Sequence, residues 1–163
     1  MAQPYNPSNW YWIVGESTTE VYSSARAEYV SLTDATYTAW LASRNHPTLI
    51  DTDANLQVVL YQSGVLGVAI TSGSTPAING SYLITPQSKL DIEGVIDNIE
   101  LNGTFPGGAS TFPWLDISDT PHVFPSVSVF KEFATAIAAF VAAIEEFIDT
   151  GSGSPPSNQI TIA

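Results

Sequence analysis

The sequence predicts an α+β fold in which small antiparallel hairpins pack on helices, with a long amphipathic helix toward the C-terminus. Three observations carry this. Short β-branched and aromatic runs are bounded by turn residues. Capping residues precede apolar positions at helical spacing. One continuous apolar stripe covers residues 129–148.

The first region spans residues 1–64. Trp10-Tyr11-Trp12-Ile13-Val14 reads as a strand, Gly15 to Thr18 as a turn, and Glu20-Val21-Tyr22 as a second strand, together a hairpin. Alternation puts Trp10 and Trp12 on one face and Tyr11 on the other, one of them core and the other open. Thr33 or Asp34 then caps a helix whose Tyr37, Trp40 and Leu41 share a face. Asn45-His46-Pro47 ends it, because the residue before proline avoids the α region. Asp51 is expected to cap a second helix, with Leu56, Val59 and Leu60 inward and Gly64 as its stop.

The second region spans 65–149. Leu66 to Thr71 and Ile78 to Ile84 read as a hairpin, with Asn79-Gly80 off-centre in the returning segment. Thr85-Pro86 opens a helix that Gly103 closes, with Leu90, Val95, Ile96 and Ile99 inward and Lys89–Glu93 paired on its outer face. Phe105 to Pro125 reads as a long loop holding four prolines, four aromatics and His122. Ser126 or Ser128 starts the longest helix, whose stripe of Val129, Phe130, Phe133, Ile137, Phe140, Val141, Ile144 and Phe147-Ile148 suits a central core helix. Its alanines would also admit a neighbouring helix in an oligomer. The tail, 150–163, reads as a Gly/Ser/Pro linker followed by Gln159-Ile160-Thr161-Ile162-Ala163. That segment suits a strand added to its own sheet or a partner's, or else a disordered end.

Composition excludes several functions. The chain has 163 residues and a net charge of -12, with only four basic residues, Arg26, Arg44, Lys89 and Lys131. Duplex binding needs several cations on phosphates, so nucleic acid is not an expected partner. Anionic membrane surfaces are disfavoured likewise. The apolar stretch Phe133 to Ile144 has 12 residues, short of the ~20 that span a bilayer. The N-terminus carries no basic region followed by an apolar one, so no secretory signal is expected. Cysteine is absent, which removes thiol nucleophiles and zinc–thiolate sites.

The chemistry-bearing residues form no complete constellation. Asp51-Thr52-Asp53-Ala54-Asn55 matches the start of an EF-hand loop, but Leu56 replaces the required glycine and Gln62 the bidentate glutamate. Helix capping explains the run instead. His122 shares its loop with Asp116, Ser118 and Asp119, the raw material of a general base, with no G-x-S-x-G elbow to serve. A structural hydrogen bond is its simpler role. Neither histidine has metal spacing, and no cofactor or metal is expected. Paired acids such as Glu145-Glu146 and Asp97/Glu100 read as solvated helix faces rather than a glycosidase pair. Trp10, Tyr11, Trp12, Tyr22 and Tyr29 could form a sugar-stacking platform, though packing is the commoner use of such aromatics.

Two segments carry a family resemblance. Tyr29-Val30-Ser31-Leu32-Thr33-Asp34-Ala35-Thr36-Tyr37-Thr38-Ala39-Trp40-Leu41, then Asn45-His46-Pro47-Thr48, resembles a segment of tailed-phage and prophage proteins encoded beside tail-fibre genes, some of them tail-fibre assembly proteins. Arg44 replaces the glycine usual before that Asn. Thr75-Pro76-Ala77-Ile78-Asn79-Gly80-Ser81-Tyr82, Phe105-Pro106-Gly107-Gly108, Phe112-Pro113-Trp114-Leu115-Asp116, Pro121-His122-Val123-Phe124 and Phe130-x-x-Phe133-Ala134-x-Ala136-Ile137 resemble an uncharacterised domain family of phage and prophage proteins. Leu115 stands where that family commonly has proline. The resemblance covers roughly residues 10–148 and brings no catalytic residues. It implies a non-enzymatic structural or assembly protein of the tail or fibre region, in the virion or in the host cytoplasm during assembly. Its partners would be other tail or fibre proteins, or a second copy of itself. Candidate contact residues are Trp10, Trp12, Tyr22, Trp114, His122, Ile160 and Ile162. The alternatives are an assembly chaperone absent from the virion, a carbohydrate-binding module, and a small hydrolase using His122.

Overall fold

The computed structural model describes residues 2–150 and 156–163. It is an α+β protein whose chain divides into two compact units, Met1–Val65 and Leu66–Ala163. Most of the expected linker, 151–155, lies outside the described residues.

The first unit is built on a four-stranded sheet of order β3-β2-β1-β4, where β1 is Tyr11–Val14, β2 Glu20–Ser23, β3 Glu28–Ser31 and β4 Thr48–Ile50. The β1–β2 hairpin is antiparallel, as expected, and turns through Gly15 and Glu16, both at positive φ. Strands β3 and β4 go beyond the sequence reading. The β2–β3 turn carries its left-handed residue at Ala27, with φ +53, where neither Gly nor Asn advertises a turn. β4 is three residues long and pairs in parallel with β1, a contact no local pattern announces. Helix α1, Ala35–Ala42, is capped by Asp34, which accepts from the amides of Thr36 and Tyr37. Helix α2, Asp53–Gln62, is capped by Thr52 rather than Asp51. The hydroxyl of Thr52 accepts from the Asn55 amide, and Asp53 meets the positive end of the helix dipole. Val58 and Tyr61 are buried beside Leu56 and Leu60, whereas Val59 is only half-buried.

Both faces of β1 are covered, which corrects the expectation of one open face. Tyr11 packs with Val21 and Val30 under Tyr37 and Trp40 of α1. On the opposite face Trp12, Tyr22 and Tyr29 stand side by side across three strands. There the Tyr29 hydroxyl donates to Asp53 at the start of α2, and α2 packs on β1 and β4.

In the second unit β5, Val68–Ser72, lies between β6, Gly80–Tyr82, and β9, Gln159–Ile162. The β5–β6 hairpin is antiparallel and β9 joins in parallel, so the tail completes its own sheet. Helix α3, Pro86–Asn102, runs from the Thr85 cap to Gly103 in the left-handed conformation, as the sequence indicates. Its inner face is Ile92, Val95 and Ile99, with Leu90 turned outward at 61% exposure. The 105–125 segment is not a structureless loop. It holds an antiparallel hairpin of β7, Phe112–Leu115, and β8, Pro121–Phe124. Pro113 and Pro121 hid it, since proline argues against a strand except at a sheet edge, and both strands of a two-stranded sheet are edges.

Helix α4, Val127–Thr150, packs on α3, β8 and β9. Phe130, Phe133, Ile137, Phe140 and Ile144 are buried. Tyr82, Phe124 and Phe133 cluster with ring centroids 4.8–6.4 Å apart, and Phe124 reaches Phe130 at 5.1 Å. At 24 residues α4 is long and apolar enough to cross a bilayer by length and composition, further than its 12-residue uncharged stretch suggests. A third of that apolar window is buried, along the stripe of Phe130, Phe133, Ile137, Phe140 and Ile144.

Candidate functional site

The β7–β8 hairpin carries an exposed apolar face. Strand pleating turns alternate residues to opposite faces. Phe112 and Trp114 of β7 turn inward, with ring centroids 5.9 and 5.8 Å from that of Phe130. Pro113 and Leu115 turn outward, opposite Val123 and Pro121 of β8. All four outward residues are exposed, Leu115 at 53% and Val123 at 48%. The hairpin therefore shows solvent an uncharged apolar face.

His122 locks this hairpin to the β5–β6 connection. Its Nδ1 lies 3.0 Å from the Ala77 carbonyl oxygen and its Nε2 3.2 Å from Asp116 Oδ2. Asp116 in turn accepts from the amides of Ser118 and Thr120 at 2.8 and 2.9 Å, closing the hairpin turn. Those bonds, the Thr120 amide foremost and the imidazole with it, hold the Asp116 carboxyl below its ordinary value against the opposing effect of desolvation. The ring sits over Gly80, where a Cβ would come within 2.7 Å of Nε2. Gly80 is thus a strand residue that admits the imidazole, and Asn79 beside it accepts from the Ser72 amide at 2.6 Å. Tyr82 lies edge-on to the same ring at 5.6 Å, and burial raises its phenol above the ordinary value.

A general base needs an imidazole nitrogen free to take a substrate proton. Both nitrogens of His122 face acceptors within the fold, the Ala77 carbonyl and the Asp116 carboxylate, of which a neutral ring donates to one. Among the described residues no three His, Asp or Glu side chains gather to hold a metal ion.

The other expected contact residues separate. Trp12 is 2% exposed and donates from Nε1 to Ser24 Oγ at 2.7 Å, so it belongs to the core and not to a contact surface. Trp10 is half-buried, edge-on to Trp40 at 5.1 Å, and donates to Thr48 Oγ1 at 2.9 Å. Tyr22 is half-buried against Tyr29 at 5.3 Å, and desolvation raises its phenol. Trp114 is half-buried on the inner face of the hairpin. Ile160 and Ile162 are half-buried in β9, which is already paired with β5 and packed against α4, so the tail is not a free arm. Trp10, Trp12 and Tyr22 belong to one unit, and Trp114, His122, Ile160 and Ile162 to the other.

Two surfaces escaped the sequence reading. One is the outward hairpin face, whose signal was the apolar character of both alternating sets, Phe112/Trp114 and Pro113/Leu115. The other is a groove between α3 and α4, lined by apolar Ile96, Ala138 and Val141. No family model, curated protein or solved structure compared with the chain matches it.

Proposed function

We propose that the chain is a non-enzymatic structural or assembly protein of the tail or tail-fibre region of a tailed phage. It acts by binding other tail or fibre proteins. The observation that carries the binding part is the outward hairpin face of Pro113, Leu115, Pro121 and Val123. Contiguous uncharged apolar surface costs solubility and is kept where a partner covers it. The phage part rests on the resemblance of the Tyr29–Thr48 and Thr75–Val141 segments to phage and prophage proteins. The engagement of both His122 nitrogens supports a structural over a hydrolytic role for that residue.

Affinity purification of the tagged chain from phage-infected cells, with the products of neighbouring genes identified in the eluate, tests the reading. A tail or fibre protein is expected to co-purify, and to be lost with Leu115→Asp/Val123→Asp. Recovery of no phage protein contradicts the proposal. A tail protein bound in lysate but a chain missing from finished particles selects the chaperone form.

A further inference from the structure

The groove between α3 and α4 has a volume of about 640 Å³. Its floor is apolar, with Ile92 buried and Ile96 and Val141 half-buried. Ala138 and Ala142 are exposed along it and leave room for a backbone to approach. The charges on its rim are ordered. At one end Lys131 Nζ donates to Glu100 Oε1 at 2.5 Å, and at the other Lys89 and Glu145 bring opposite charges. Between the ends stand Glu93 and Asp97 of α3, one helical turn apart and both exposed. The Lys89–Glu93 pair expected on the outer face does not form among the described residues, and both side chains line this groove instead. From Lys131 to Glu145 the groove runs about 20 Å along α4, the length of a helix of about 14 residues.

We propose that this groove receives an amphipathic helix of another protein, apolar on the face it buries and carrying Lys or Arg one turn apart against Glu93 and Asp97. The proposal rests on the protein-binding reading above and names the partner's chemistry. A second copy of this chain does not fit. Its basic residues are Arg26, Arg44, Lys89 and Lys131, and no helix carries two of them. No helix of a copy can therefore answer both acids. An anionic bilayer is disfavoured by the same rim.

The test uses the full chain and two synthetic 16-residue peptides. Each has a Leu/Ala face, flanked by Lys at i, i+4 in one and by Glu in the other. Titration calorimetry gives affinity, and backbone amide NMR maps the contact. The Lys peptide is expected to bind and to shift the amides of Ile96, Ala138 and Ala142. Glu93→Lys/Asp97→Lys should weaken it about tenfold, two rim pairs' worth. Ala138→Glu should weaken it without touching the acids. Glu16→Lys/Glu28→Lys makes the same change in net charge elsewhere and should leave affinity within about twofold. Equal weakening by the two charge variants, equal binding of the Glu peptide, shifts away from the groove, or partition into phosphatidylcholine vesicles through α4 would each overturn the proposal. Failure here in a chain that still co-purifies with tail proteins removes the groove and leaves the functional reading standing.

Discussion

Gly80 and His122 show how one residue's absence of a side chain seats another's. A Cβ at position 80 would overlap the imidazole, so Gly80→Ala must displace the ring or the strand. We expect a loss of about 1–3 kcal/mol, the usual cost of overpacking, measured by urea denaturation. Asp116 makes the same corner pH-sensitive. Its folded pKa is depressed, so the stability it adds is complete above the unfolded value, near 3.8, and is lost as pH falls through the folded one. Asp116→Asn should flatten the acid limb of a stability–pH curve below about pH 4 and leave its shape near neutrality unchanged. Arg44 offers a test of opposite sign. It takes φ +65, strained for a side-chain-bearing residue, at the position where the resembling phage segment usually has glycine. Arg44→Gly should raise stability by about 1 kcal/mol in the same denaturation assay.

Among the elements, what was legible in the sequence was local. Asp34, Thr85 and Gly103 announce their helix ends because a cap is a contact within four residues. The α4 stripe was legible for the same reason, through its periodicity. Thr52 displaced Asp51 as a cap because either residue can accept and only the backbone decides which one does. Strand β4 and the parallel register of β9 depend on partners 36 and 90 residues away in sequence, as Trp12 with Thr48 and Ile70 with Ile160, and no local pattern carries them. The hairpin face is hidden for a related reason: Pro113 and Pro121 argue against a strand unless both strands are edges, and only the pairing shows that they are. The buried place of Trp12 followed from helices on both sides of β1, a fact of tertiary packing. Two tests belong at this scale. Thr85→Ala should cost about 1 kcal/mol through the lost bond to the Ser88 amide. Deleting residues 159–163 should do more than subtract a strand. It bares the edge of β5 and removes the bond that Ser72 Oγ donates to the Ala163 carbonyl at 2.7 Å. Bared edges template pairing between chains, so light scattering should show concentration-dependent aggregation of the truncated chain and little of the full one.

For the whole molecule, a net charge of -12 coexists with apolar surface at Leu90, Leu101, Leu115 and Val123. Charge of one sign keeps such a surface from associating with itself and leaves it open to a partner of different composition. Only His122 and Trp114 of the expected contact residues lie in the hairpin that bears the apolar face, and both turn inward to hold it. Trp114 and His122 support the exposed face rather than form it, and alternation along a strand is readable only once the strand is recognised. The central proposal is that this chain binds tail or fibre proteins of a tailed phage, in its structural form as a component of the particle. Quantitative mass spectrometry of gradient-purified virions tests it most directly. The account predicts peptides of this chain at a fixed ratio to tail proteins across independent preparations. Their absence from particles whose other tail proteins are fully represented would contradict the structural form and leave only an assembly role outside the virion.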